Sequence, residues 1–221
     1  MIDTILYFLF SVCYLVLLLF SIKLIKKRPV PFYMAFLPLV ITGLIYDNII
    51  LSIGSFIGEG NDLFLLSMFR FWFHALFTPT LVLFAYGVAK HFNLQWAKKL
   101  IFKIIFLIST LALISYEIVQ TINKEPKIMQ DYGIVRYTLV GGSSPPLMVI
   151  IIAFVLLIVG ISLYCKMGWN IMMIGVLLMV GGTAIPFNLP STAVINIFEV
   201  FFICSLFLTQ RYVTFSIHDK D

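Results

Sequence analysis

The chain reads as an all-α polytopic membrane protein, a bundle of seven transmembrane helices. Apolar residues make up 62% of the 221 residues and charged residues only 11%, whereas a soluble domain is nearer half apolar and a quarter charged. The mean hydropathy is +1.07. Apolar runs of about 20 residues, the length that crosses ~30 Å of hydrocarbon, fill 1–221 as one integral domain. No segment remains for a separate soluble unit.

The first span, 4–24, follows Asp3 with no basic residue before it, and its basic residues come after, at Lys23, Lys26, Lys27 and Arg28. A cleaved leader has the opposite order, so this is expected to be a retained span. The stretch "KKRPVP" separates it from 32–56, and "GEGND" separates that span from 64–89. Within 64–89, Pro79 stands between Thr78 and Thr80; the proline predicts a kink, with threonine hydroxyls satisfying freed carbonyls. Pro38 and Pro186 predict bends in the second and sixth spans. Gly54 and Gly58 form a GxxxG spacing that lets helices approach. A softer break, "KHFNLQWAKK", leads to 100–121. "CKMGWN", with Asn170 as a cap, divides 147–165 from 170–187, and "NLPST" precedes 193–214. Loop 123–146 is long enough to be a lid, and "QDYGIVRYTLV" alternates as a hairpin or strand would. Cys13, Cys165 and Cys204 have no CxxC spacing and read as free thiols.

Basic residues orient this map. With the N-terminus outside and the C-terminus cytoplasmic, the inner side holds Lys23, Lys26, Lys27, Arg28, Lys90, Lys98, Lys99, Lys103, Lys166, Arg211 and Lys220. The outer side holds Lys124, Lys127 and Arg136, as the positive-inside rule requires. The net charge of +5 is therefore topological, and no basic soluble face exists for nucleic acid. The expected setting is the cell membrane of a prokaryote, with membrane lipids as partners.

Apart from Lys23, Lys103 and Arg211 toward the cytoplasmic ends, the charged residues and histidine within spans are Asp47, Arg70, His74, Glu117 and Glu199. Each costs ~2.5–3.5 kcal/mol if charged at a helix centre, so such groups face the bundle interior and mark function. At ~1.5 Å per residue, all five fall in the outer half, with His74 deepest. Arg70 and His74 share a face at i,i+4, and Asn196 and Glu199 share another at i,i+3. Tyr46 and Asn48 flank Asp47, Tyr116 precedes Glu117, and Asn188 lies near the outer end of the sixth span. These residues predict an outer-half polar pocket. Asp47, Glu199, His74, Arg70 and Glu117 are its candidate catalytic groups; Tyr46, Asn48, Tyr116, Asn188, Asn196 and, from the loop, Arg136 are its candidate binding groups.

Three carboxylates against one arginine and one histidine leave surplus negative charge. A low-dielectric site neutralises such a surplus by protonation or by a bound cation. A carboxylic acid that stays neutral at pH 7 can act as a general acid. No cofactor is expected; a Mg²⁺ or Na⁺ at the carboxylates is the ion site the residues allow. A three-histidine zinc site is excluded, because His91 and His218 lie at span ends. There is no GxSxG, HExxH or DDxxD, no lysine in 193–214 for a retinal Schiff base, and no histidine pair for haem.

The favoured reading is an intramembrane enzyme acting by acid–base chemistry on a hydrophobic lipid or isoprenoid. The alternatives are a proton- or cation-coupled small-molecule carrier, and a ligand-binding sensor or assembly subunit without catalysis. "FEVFF" (Phe198 to Phe202) resembles, over those five residues, the acid-then-aromatic pattern of lycopene-cyclase-type membrane proteins, which implies isoprenoid chemistry.

Overall fold

The structure is a computed structural model, described for residues 2–27, 32–141, 146–184 and 191–216. Its helices are α1 (Ile2–Lys27), α2 (Phe36–Ile57), α3 (Asn61–Phe77), α4 (Leu81–His91), α5 (Leu100–Asn123), α6 (Leu147–Met167), α7 (Ile171–Ala184) and α8 (Val194–Ser216). A hairpin of β1 (Glu125–Asp131) and β2 (Ile134–Val140) joins α5 to the segment before α6. Among the described residues six apolar stretches are long enough to cross a membrane: Ile2–Lys26, Phe32–Ile57, Asn61–His91, Leu100–Asn123, Leu147–Met167 and Val194–Phe215. The sixth expected span, 170–187, contributes a shorter apolar helix among the described residues. The described part of α7 has 14 residues, about 21 Å of helix, and Pro186 and Asn188 lie outside the described residues. The fold is therefore an all-α membrane bundle, with six long apolar stretches and one shorter apolar helix among the described residues, and the hairpin expected from "QDYGIVRYTLV" forms within the long loop.

The long loop folds locally. Its strands pair in antiparallel register from Glu125 opposite Val140 to Asp131 opposite Ile134. Tyr132 and Gly133 form the turn with φ of 51° and 84°, a tight turn whose backbone twist matches the strands it joins. Ile134 is buried, and a side chain at Gly54 would strike the Val135 carbonyl. Gly54 thus admits the hairpin backbone rather than a neighbouring helix, which corrects the GxxxG reading; Gly58 instead ends α2 at φ 77°. The end of the bundle that carries this contact is called the hairpin end below.

Both described prolines in helices act as their chemistry demands. Pro38 stands in the first turn of α2, where its missing N–H has no intrahelical acceptor to lose, so it starts that helix instead of bending it. Pro79 breaks the third span into α3, a 3₁₀ turn over Thr78–Thr80, and α4. Thr80 Oγ1 donates to the Phe77 carbonyl.

This break sets the position of everything else. In α3 the buried residues are Leu63, Ser67, Arg70 and Ala75. In α4 every residue from Leu81 to Ala89 is buried, and α4 packs against α2, α5, α6 and α8. The chain enters at the rim beside α2 and α5 and moves to the bundle centre only after Pro79. The lower half therefore has a filled axis. At the hairpin end the axis above Leu81 is left to cavities.

Small residues tighten the remaining contacts. Side chains at Gly175 and Gly182 of α7 would meet Ser205 and Phe198 of α8. Gly160 of α6 likewise leaves room for Met173 of α7. Close approach through small residues is how helices associate where lipid is as apolar as protein.

Candidate functional site

The cavities at the hairpin end gather around His74. A polar cavity of about 200 Å³ is lined by Asp47, Arg70, His74, Thr78, Asn196 and Glu199, with Phe73 and Phe77 among its apolar walls. An apolar chamber of about 90 Å³ lies between α6, α7 and α8 and shares His74, Thr78 and Glu199 with it. A third cavity of about 190 Å³ is lined by His74, Tyr116, Glu117, Gln120 and Lys124. His74 borders all three.

Arg70 donates through Nε to Asp47 Oδ1 at 2.8 Å. Arg70 is 9% exposed and Asp47 30%. The pair crosses from α3 to α2, which run antiparallel and are braced one turn away. There the Tyr46 hydroxyl donates to the Leu66 carbonyl at 3.1 Å, and its ring meets Phe73 edge-on. Arg70 also places a ring-stacking face against Phe71. Its Nη1 has no protein partner among the described residues. His74, one turn along α3, has Nδ1 3.3 Å from Thr78 Oγ1.

Glu199 receives a hydrogen bond from the Tyr14 hydroxyl, at Oε2 and 3.3 Å. Tyr14 was not expected here. It belongs to a buried face of α1 that also holds Asp3, Tyr7, Phe10, Ser11, Ser21 and Leu24. Asp3 accepts from Ser191 Oγ at 2.6 Å, from the Thr192 amide at 2.7 Å and from Thr192 Oγ1 at 2.9 Å. The Tyr7 hydroxyl donates to Thr192 Oγ1 at 3.2 Å. These bonds hold the start of α8 against α1, one to two turns before Glu199. The sequence carries a signal for this face: Asp3, Tyr7, Tyr14 and Ser21 recur at spacings of four or seven in an otherwise aliphatic helix, so they share one side. Asp3 precedes the first expected span in the sequence, and at 1% exposure it is a buried cap acceptor.

The predicted residues thus separate into groups. Asp47, Arg70, His74, Asn196 and Glu199 share one cavity, while Glu117 and Tyr116 share a second with His74. Tyr46 spends its hydroxyl on a backbone carbonyl. Asn48 is buried, its Nδ2 donating to the Leu44 carbonyl at 2.8 Å, and it does not line the polar cavity. Arg136 sits opposite Met129 in the hairpin and is likewise not a lining residue of that cavity. Asn188 lies outside the described residues. Among the described residues no three His, Cys, Asp or Glu side chains cluster as metal ligands.

Chemically, the polar cavity offers a fixed cation–carboxylate pair, an imidazole, and a second carboxyl held by a phenol rather than by a cation. No protein-family model matches the chain, and no curated protein matches it in sequence.

Proposed function

We propose that the chain is an intramembrane enzyme that performs acid–base chemistry on a hydrophobic, lipid- or isoprenoid-type molecule in the cell membrane. In this reading the N-terminus and hairpin face outward and the C-terminus is cytoplasmic, as the Lys and Arg distribution requires.

The observation that carries the proposal is the shared wall. Glu199 and His74 border both a polar cavity and an apolar chamber. An amphiphile would place its reactive end between them and its hydrocarbon in the chamber. Arg70 is engaged by Asp47, which leaves Glu199 as the carboxyl free to handle a proton. A proton given by Glu199 to the substrate and one taken back by His74 would leave the cavity charge unchanged. Arg70 Nη1 would bind an oxygen on the substrate; a buried donor left unpaired costs ~1–3 kcal/mol.

The filled axis from Leu81 to Ala89 supports access from one side only, which favours an enzyme over a carrier. The test is mass spectrometry of lipids that copurify with wild type and with Glu199→Gln. An enzyme of this kind predicts that Glu199→Gln retains an amphiphile that wild type converts. Identical bound species, unconverted by either protein, together with proton-driven flux through wild type in vesicles, would establish the carrier instead.

A further inference from the structure

The apolar chamber has a wall that faces lipid. Val149, on α6, and Val180, on α7, line it, yet they are 37% and 44% exposed. Ala153 and Thr183 complete the same edge. On the other side of the chamber stand Val176, Phe202 and Ile203, all buried, and then Glu199 and His74.

The gap follows from the sequence of the two helices. They run antiparallel and make a close contact where Gly160 receives Met173. Counting outward from that contact puts Ala153 level with Val180 and Val149 level with Ala184. Ala153 offers only a methyl group toward α7 at this level, where it lines the chamber together with Val180. The edge is also apolar throughout. Thr183 Oγ1 lies 2.9 and 3.1 Å from the Met179 and Val180 carbonyls, so its hydroxyl donates back to its own helix. Water and ions gain nothing from such a passage, whereas a hydrocarbon chain moves through it without desolvation.

We infer that the chamber binds the hydrocarbon chain of an amphiphile, and that this chain enters sideways from the bilayer between α6 and α7, through Val149, Ala153, Val180 and Thr183. The inference rests on the proposed hydrophobic substrate but not on the acid–base step. The occupant is a lipid acyl or prenyl chain, because the chamber continues into the polar cavity, where the chain's polar end meets Arg70 and Glu199.

A phosphatidylcholine with a diazirine on its acyl chain, incorporated in nanodiscs with the intact protein, tests this directly. After illumination, peptide mass spectrometry is expected to find adducts on Val176, Phe202 and Ile203 as well as on outward residues such as Phe154 and Ile158. Ala153→Trp should lower the chamber adducts at least fivefold and leave those on Phe154 unchanged; Val180→Trp closes the gap from the other wall and should do the same. Adducts confined to outward residues, or chamber adducts unaffected in both folded variants, overturn the inference. Glu199→Gln should keep the chamber labelling. Full turnover in that variant with the labelling intact would sink the acid–base reading and leave the lateral entry standing.

Discussion

The Arg70 guanidinium donates through Nε to Oδ1 of Asp47 at 2.8 Å, joining α3 to α2 at the wall of the polar cavity. The arginine is almost wholly buried and the aspartate about one-third open. Such a pair serves two purposes that mutation can separate: it fixes how two helices meet, and it presents charge to a cavity.

Asp47→Asn leaves a buried cation without its counter-charge and is expected to cost about 3 kcal/mol of stability, the low end for a broken buried pair. The double variant Asp47→Leu with Arg70→Met removes both charges and should recover most of that loss, since apolar replacements of buried pairs are often neutral. Thermal unfolding in detergent measures the stability. Conversion of the copurified amphiphile measures the function, which the double variant should not recover. Recovery of both would reduce the pair to a register device.

Tyr14 reaches Glu199 from a different helix, and Tyr14→Phe removes only the hydroxyl. The expected stability loss is about 1 kcal/mol, a typical net hydrogen bond. Turnover should fall roughly tenfold, the rate equivalent of about 1.4 kcal/mol of lost positioning, while Glu199→Gln abolishes it. Tyr14 is a positioning residue in this account. A shift in the pH profile of turnover in Tyr14→Phe, with lipid binding unchanged, is the signature that a purely structural tyrosine would not give.

At Gly54 the Val135 carbonyl of the hairpin occupies the place of a side chain. Gly54→Ala therefore forces the hairpin away from α2, at a cost of about 1–3 kcal/mol for an overpacked contact. Limited proteolysis should cut near Tyr132 and Gly133 faster in the variant than in wild type. Equal cleavage rates would show that the hairpin does not depend on this contact.

How much of this was legible in the sequence differs from one residue to the next. Asp47, Arg70, His74 and Glu199 stood out because ionisable groups are expensive in hydrocarbon, and counting helical rise put them in the outer half with His74 deepest. Tyr14 did not stand out, since tyrosine is ordinary in membrane helices and only its spacing from Asp3 and Tyr7 marks a buried face. The central place of Leu81–Ala89 was hidden for a physical reason. Lipid-facing and core-facing residues are both apolar, so hydrophobicity does not tell the axis of a membrane bundle from its rim. The proline at position 79 announced a break but not the sideways displacement that opens the cavities. The contact at Gly54 was misread because a glycine spacing says that something approaches closely and does not say whether it is a helix or a strand.

Asp3 gives the last prediction. Its carboxylate takes three hydrogen bonds from Ser191 and Thr192 at 2.6–2.9 Å, and the Ala193 amide donates to Ser191 Oγ at 3.2 Å. The start of α8 is therefore capped by a residue of α1 nearly the whole chain away. Asp3→Ala removes a cap acceptor, worth about 1 kcal/mol in a typical helix and up to about 2 in strong cases. Hydrogen exchange should rise at the amides of Thr192 and Ala193 in the variant. Glu199 lies about two turns further along the same helix, so loosening this end should also disturb its bond to Tyr14. Turnover should then fall, though less than in Tyr14→Phe. Combining the two substitutions should cost less than the product of the single effects, because both act through the placement of one carboxyl. Multiplicative losses in the double variant would mean that the Asp3 clamp and the Tyr14 bond act on different things, and the link from the N-terminus to the cavity would have to be given up.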